Sequence, residues 1–242
     1  MFLGVLIIAG FMILTACNSF GSNTEIIRGE GPMVARTFDV AEFDALDISG
    51  FCMLIFRQAD EVSVELYMQE NLFEHHEVVV RNGVLSFGAV SGTSIEYGSH
   101  TPRLYVFAPQ LTSVDISGTV TTEDWDVIDS QSFALNISGV ATVDIELEVG
   151  SLGLDLSGVA NLRLTGRAVT VNVDATGVGD VKAFGLMAQN AVINSSGVGN
   201  IDMAVTDTLD VRVSGIGSVR YMGDPIVTPN VSGMGTLSRH DS

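Results

Sequence analysis

The chain has 242 residues, of which 46% are hydrophobic and 26 are glycine, and its 29 acidic against 11 basic side chains leave a formal net charge of −18. That length accommodates one or two domains with a full core, and the hydrophobic share is ordinary for a globular chain, which argues against overall disorder. A chain this acidic is repelled by nucleic acid and by anionic lipid surfaces, so no nucleic-acid partner is expected.

The first segment, "MFLGVLIIAGFMILTAC", is an uncharged apolar run that stops at Cys17. It is shorter than the roughly 20 apolar residues a transmembrane helix needs, and it predicts a lipoprotein signal peptide over residues 1–16. Leu14-Thr15-Ala16-Cys17 resembles the lipobox of bacterial lipoproteins, in which cleavage precedes the cysteine and its thiol takes diacylglycerol. Cys17 is therefore the expected lipidation site, and the membrane the expected partner through that anchor. No Lys or Arg precedes the apolar run, which departs from the lipoprotein pattern and leaves a plain signal peptide with an incidental cysteine as the alternative. Asn18, rather than Asp, after the anchor is compatible with sorting to the outer membrane, on a face the sequence leaves open. With Cys17 lipidated, Cys52 is the one remaining thiol and no intrachain disulfide is available. Its setting, "ISGFCMLIF", reads as a buried strand.

Residues 17–32 are small and polar and read as a tether. Residues 33–110 read as an irregular β cap and the first coils of a larger repeat. Within them 54–56 and 62–66 are strand-like, "QENLFEHH" is a turn or short helix, and "EVVVRNGVLSFGAV" is a hairpin bending at Asn82-Gly83. "SGTSIEYGSHTP" reads as a loop.

From 111 to 242 the chain repeats. A Ser-Gly or Thr-Gly pair recurs with glycines at Gly118, Gly139, Gly158, Gly177, Gly197, Gly215 and Gly233, spaced by 21, 19, 19, 20, 18 and 18 residues. Between the pairs apolar residues alternate with polar ones: Val171, Val173 and Ala175 on one side, Asn172 and Asp174 on the other. Strand, glycine turn and strand at this period predict an all-β fold, a right-handed single-stranded β-helix (solenoid) of about 19-residue coils. The glycines are expected to supply positive φ, and the second position, which holds Ala141 and Ala160 in two coils, to require smallness. The Asp or Asn before each turn is expected to cap the bend or to form an outward ladder, with a weak cation site along that ladder as an alternative.

Chemistry is sparse. "VNVDATGVGDVKAFG" imitates a phosphate cradle, but strand alternation rather than a helix follows its glycines. "EHHE" (74–77) puts adjacent histidines on opposite faces of a strand, and reads as surface rather than as a metal site. No G-x-S-x-G elbow occurs. Lys182 is the only lysine, and Arg163, Arg167, Arg212 and Arg220 are scattered. Trp125, in "TTEDWDVID", is the single tryptophan and is expected to pack over a coil corner, with exposure for sugar stacking as the alternative. No catalytic, cofactor or metal residue is assigned, and no enzyme activity is expected.

"RTFDVAEFDALDISG", "LYVFAPQLTSVDISG", the recurring Ser-Gly-x-Gly turns and the closing "YMGDPIVTPNVSGMGTL" together resemble the head GIN domain family, which carries an auto-transporter adhesin label. The resemblance covers residues 36–237 and implies a bacterial envelope protein, frequently a lipoprotein, with a β-helical body. It brings no catalytic or binding residues. "GFCMLIF" after Gly50 and Ser195 in a coil's apolar position depart from the pattern. Three readings stay open: a binding or adhesion module for an envelope glycan or protein, an envelope scaffold, and a polysaccharide-active enzyme using a clustered acid such as Asp124 or Asp126. Self-association is expected, if anywhere, through the C-terminal coil ending in "GTLSRHDS".

Overall fold

A computed structural model describes residues 25–241, so the expected signal peptide and Cys17 lie outside the described residues. In Val140–Leu156, every second side chain from Ala141 to Val149 is buried, while Thr142, Asp144, Glu146 and Glu148 between them are exposed. The same alternation returns in Val159–Ala175, Val178–Ser195 and Val198–Val213. A strand with one apolar edge has to bury it, and here each coil lies parallel on the next, Val140 beside Val159, Val159 beside Val178 and Val178 beside Val198. The result is the predicted β-solenoid, with about 7 turns spaced roughly 19 residues apart. One continuous core runs inside it from Phe43 to Val219.

The coils close at the Ser/Thr-Gly pairs, the first six by one arrangement. The carbonyl of Ile137 accepts the N–H groups of both Ser157 and Gly158, each at 2.9 Å. One coil on, Leu156 accepts from Thr176 and Gly177, again at 2.9 Å. Gripping two donors draws each turn onto the one beneath it. A Cβ on Gly158 would overlap the carbonyl oxygen of Gly139, and one on Gly177 that of Gly158. Close approach, not positive φ, therefore requires the first six of these glycines, which corrects the expectation from sequence there. Positive φ enters at the second position from the fourth repeat on, at Gly179 (+142°), Gly199 (+154°) and Gly217 (+144°), and in the last repeat at the first position, Gly233 (+79°).

The N-terminal region does not stack in chain order. Ala45–Ile48 and Phe51–Gln58 form the coil next to Ser113–Ile116 and Thr119–Thr122. On their other side lie Val84–Ala89 and Arg103–Ala108, later in the chain but farther out in the rod. There the strand direction reverses: Ser63–Gln69 runs antiparallel to Arg103–Ala108, Met33–Phe38 to Ser63–Gln69, and His76–Arg81 to Val84–Ala89. The hairpin turns at Asn82 and Gly83 with φ of 53° and 79°, the left-handed pair that a tight hairpin needs. "QENLFEHH" contains a 3-10 helix, Glu70–His75. Glu25–Arg28, in the stretch read as tether, pairs in parallel with Thr93–Glu96, in the stretch read as loop. Four residues of strand carry little periodicity, and each of these segments is a strand only because the other is there.

The cap buries two titratable groups. His76, against the surface reading of "EHHE", is buried: Nδ1 lies 2.8 Å from the Leu72 carbonyl, Nε2 lies 2.7 Å from the Tyr97 hydroxyl, and the ring stacks on Phe87. Burial lowers its pKa from the usual 6.5. Cys52 is 1% exposed and its thiol is pushed up to about 12 by burial, which makes it a packed, unreactive side chain.

Two outcomes follow. Gly158→Ala is expected to cost at least about 2 kcal/mol in urea unfolding, because a methyl group has to displace backbone, whereas Ser157→Ala in the same turn costs less than about 1 kcal/mol. Equal losses would mean that the turn relaxes freely. A histidine whose folded pKa is depressed contributes stability in full above its unfolded value of 6.5 and loses it as pH falls through that value. The urea midpoint is accordingly expected to fall between about pH 7 and pH 5 more steeply in the wild type than in His76→Gln. Parallel profiles would remove His76 as the cause.

Candidate binding face

Because the coils are in register, the outward side chains of the strands after each turn fall into columns along the rod. The first column is aliphatic after Thr119: Val140, Val159, Val178, Val198, Ile216 and Met234. Its valines and isoleucine are between 42% and 53% exposed, and Met234 is 72% exposed. The second column is hydroxyl, amide and carboxyl, running Thr142, Asn161, Asp180, Asn200 and Ser218. Asn200 donates to Asp180 Oδ1 at 2.9 Å, and the Ser218 hydroxyl donates to Asn200 Oδ1 at 2.7 Å. The third column carries charge: Asp144, Arg163, Lys182, Asp202 and Arg220.

In that third column, opposite charges face each other at both ends. Arg163 Nε lies 3.4 Å from Asp144, with both side chains about two-thirds exposed, so the pair contributes less than about 1 kcal/mol. Arg220 grips Asp202 with two hydrogen bonds, 2.7 Å and 2.6 Å, and that hydrogen bonding and charge raise its pKa further. Lys182 sits between Arg163 and Asp202 with no ion pair among the described residues. A shallow hollow of about 170 Å³ opens between Thr142, Asp144, Asn161, Arg163, Asp180 and Lys182. A second, of about 380 Å³, shares Asp144 and extends to Glu146, Thr165, Asp124 and Trp125. Together they form one open, polar trough across the face.

Trp125 packs over a coil corner as expected, half-buried against Phe56 with ring centroids 5.9 Å apart. Its Nε1 donates to the Leu54 carbonyl at 2.7 Å, which fixes the ring at the rim of the trough. Asp124 and Asp126, the acids weighed for catalysis, are held by one partner. Arg57 bonds the Asp124 carboxylate and carbonyl and lies 3.6 Å from Asp126, which also accepts the Gln58 N–H at 2.8 Å. Arg57 is 67 residues from Asp124 in the chain, and no local signal announces it.

The ladder expected before each turn is present. Asp115, Asn136, Asp155, Asp174, Asn194 and Arg212 are register neighbours, with Asn136 donating to Asp115 at 2.7 Å and Asn194 to Asp174 at 2.8 Å. Among the described residues no three side chains of His, Cys, Asp or Glu gather as a metal site would require. No helix among them is long and apolar enough to cross a membrane.

Residues 42–225 match the family described as "putative auto-transporter adhesin, head GIN domain", and the chain belongs to that family. No curated protein matches it in sequence. Among solved structures, a protein of Bacteroides fragilis described as a "putative adhesin" is 22% identical, with a TM-score of 0.83 over 88% of this chain and 100% of that one. A "putative lipid binding protein" of Parabacteroides distasonis is 18% identical, with a TM-score of 0.69 over 90% and 100%. A "putative adhesin" of Parabacteroides merdae is 19% identical, with a TM-score of 0.64 over 90% and 100%. These likenesses establish the shared solenoid.

Trp125 is the only tryptophan, so its fluorescence reports the rim of the trough. Arg57→Ala is expected to release the 123–127 segment, shift the emission to longer wavelength and lower stability by about 1–2 kcal/mol. An unchanged spectrum would mean that the Trp125–Leu54 hydrogen bond and Phe56 suffice to hold the ring.

Proposed function

We propose that this chain is a non-catalytic binding or adhesion module of the bacterial cell envelope, anchored to the outer membrane by lipid on Cys17, whose columned face takes an extended envelope glycan. The observation that carries the reading is the sorting of that face. Aliphatic, amide-hydroxyl and charged columns run side by side for five coils, roughly 20 Å at the spacing of stacked strands. A surface that repeats one chemistry along a line, in an open trough rather than an enclosed cavity, suits a repeating polymer better than a small substrate. Carboxylate, amide and hydroxyl groups supply the donors and acceptors that sugar hydroxyls need, and Trp125 borders them. The adhesin descriptions of the family and of two relatives support the same class of role. Against a polysaccharide-active enzyme stands the engagement of Asp124 and Asp126 by Arg57.

The test uses residues 18–242, which contain the whole described fold, titrated calorimetrically with envelope polysaccharide fragments. Saturable binding is expected, weakened at least about tenfold by Asp144→Ala with Lys182→Ala, since charged hydrogen bonds contribute about 1.5–3 kcal/mol each. The glycan should emerge with its mass unchanged. A shortened glycan, or binding indifferent to these substitutions, would sink the proposal. Protease shaving of intact cells, with Cys17→Ala as control, tests the address: loss of the protein supports surface adhesion, and protection until the outer membrane is breached supports a periplasmic scaffold instead.

A further inference from the structure

The two ends of the rod are built differently. At the N-terminal end, the coil of Val84–Ala89 and Arg103–Ala108 is covered by antiparallel strands and by the 3-10 helix Glu70–His75. In the last described coil, Ile226–Val231 pairs only with residues 208–213, and Met234–Arg239 only with residues 216–221, among the described residues. Two strands there present their other edge outward. The core opens at the same place: Tyr221, Val227 and Leu237 are only half-buried and line, with Pro229 and Val231, a hollow of about 600 Å³. Ile226, Val231 and Met234 beside it are 76%, 42% and 72% exposed.

Charge singles out this end too. Residues 196–242 hold five acids (Asp202, Asp207, Asp210, Asp224 and Asp241) and three bases (Arg212, Arg220 and Arg239), a net −2 of the chain's −18. Two copies meeting side by side would bring most of their like charge together, whereas meeting at this end they bring almost none.

We propose that the last coil is an interface with a second copy of the chain, the two rods meeting end to end about a two-fold axis. A two-fold contact uses the same patch on both partners, so it needs a surface complementary to itself. A coil edge meets this condition, since it has its own dimensions and spacing, and a two-fold axis across the rod sets the facing strands antiparallel, a direction in which their edges can bond. Pro229 lacks an N–H, so the edge of Ile226–Val231 bonds incompletely. Met234–Arg239 then carries the backbone pairing, while Val227, Val231 and Leu237 close on their counterparts. A two-fold contact uses up the last coil of both partners, so assembly through it stops at two and no filament forms. This association does not depend on the columned face.

Sedimentation velocity of residues 18–242 between about 1 and 100 µM, with solution scattering, tests it. A contact of one coil's cross-section lies below the standard interface size, so dissociation in the micromolar range, about 1–50 µM, is expected. The dimer's longest dimension should approach twice the monomer's. Ile226→Asp with Val231→Lys, at exposed positions that leave the thermal midpoint unchanged and lie outside the columned face, should weaken association at least about tenfold. Val159→Lys, on the aliphatic column, should leave it as it is. A monomer at 100 µM, a dimer no longer than the monomer, loss of dimer in Val159→Lys or full association of the double variant would each overturn the proposal.

Discussion

Each coil of this rod is seated by one carbonyl that accepts two neighbouring N–H groups, and the rest of the structure depends on that contact. The oxygens of Ile116, Ile137 and Leu156 each hold both residues of the Ser/Thr-Gly pair one coil further on. Two donors converging on one acceptor set how far the chain rises between coils and where the turn sits laterally. No room is left for a Cβ at the glycine, because the carbonyl of the preceding coil's glycine occupies that space. Once the turn is seated, the strands on either side inherit their register, and alternation with a period of two does the rest. Insertions are absorbed away from it: the irregularities between Arg163 and Thr165 and between Ala183 and Met187 fall mid-coil, and pairing resumes in step afterward.

The same register creates both the opportunity and the cost of the surface. Identical positions stack at the strand spacing of about 4.8 Å, so any charge repeated at one position repels itself along the rod. Asparagine interposed among aspartates turns part of that repulsion into hydrogen bonds, as at Asp115–Asn136 and Asp174–Asn194. Asp155 and Asp174 remain direct neighbours, and both are exposed, where water screens them. In the charged column the device is opposite charge, with Asp202 largely buried under Arg220. An acidic chain thus carries a face whose charges are matched in pairs at both ends of the charged column.

Much of this was legible in the sequence, for a physical reason. A solenoid writes its geometry once per coil, so seven Ser/Thr-Gly pairs and a period-two pattern between them suffice to identify it. The cap has no such redundancy. That 84–108 lies outside 45–58 in the stack depends on pairings between segments separated by tens of residues, such as Ala45 with Val84 and Met53 with Arg103. His76 illustrates the same limit. Its neighbours in sequence are polar, and its burial is due to Tyr97 and Phe87, which the fold brings to it. The turn glycines were recognised for a reason that holds at Gly179, Gly199, Gly217 and Gly233 but not at the first six pairs, since sequence shows that smallness is needed but not whether conformation or contact demands it. The trough was visible only as separate outward residues of successive coils, and Arg57, which holds its rim, was not visible at all.

Function follows from where this fold can and cannot place precise chemistry. A catalytic constellation needs several unlike groups converging on one point and held apart from water. Stacked coils instead spread their outward groups along a line, open to solvent, and Asp124 and Asp126 are engaged by Arg57 in holding a corner. What a line of like groups does well is bind something that is itself a line, with each coil adding a weak contact of the same kind. Affinity then grows with the length engaged rather than with the depth of any pocket, and the loss of one coil's contact weakens adhesion without abolishing it. A rod open in its last described coil extends that logic, because joining two such ends would lengthen the line without changing its chemistry.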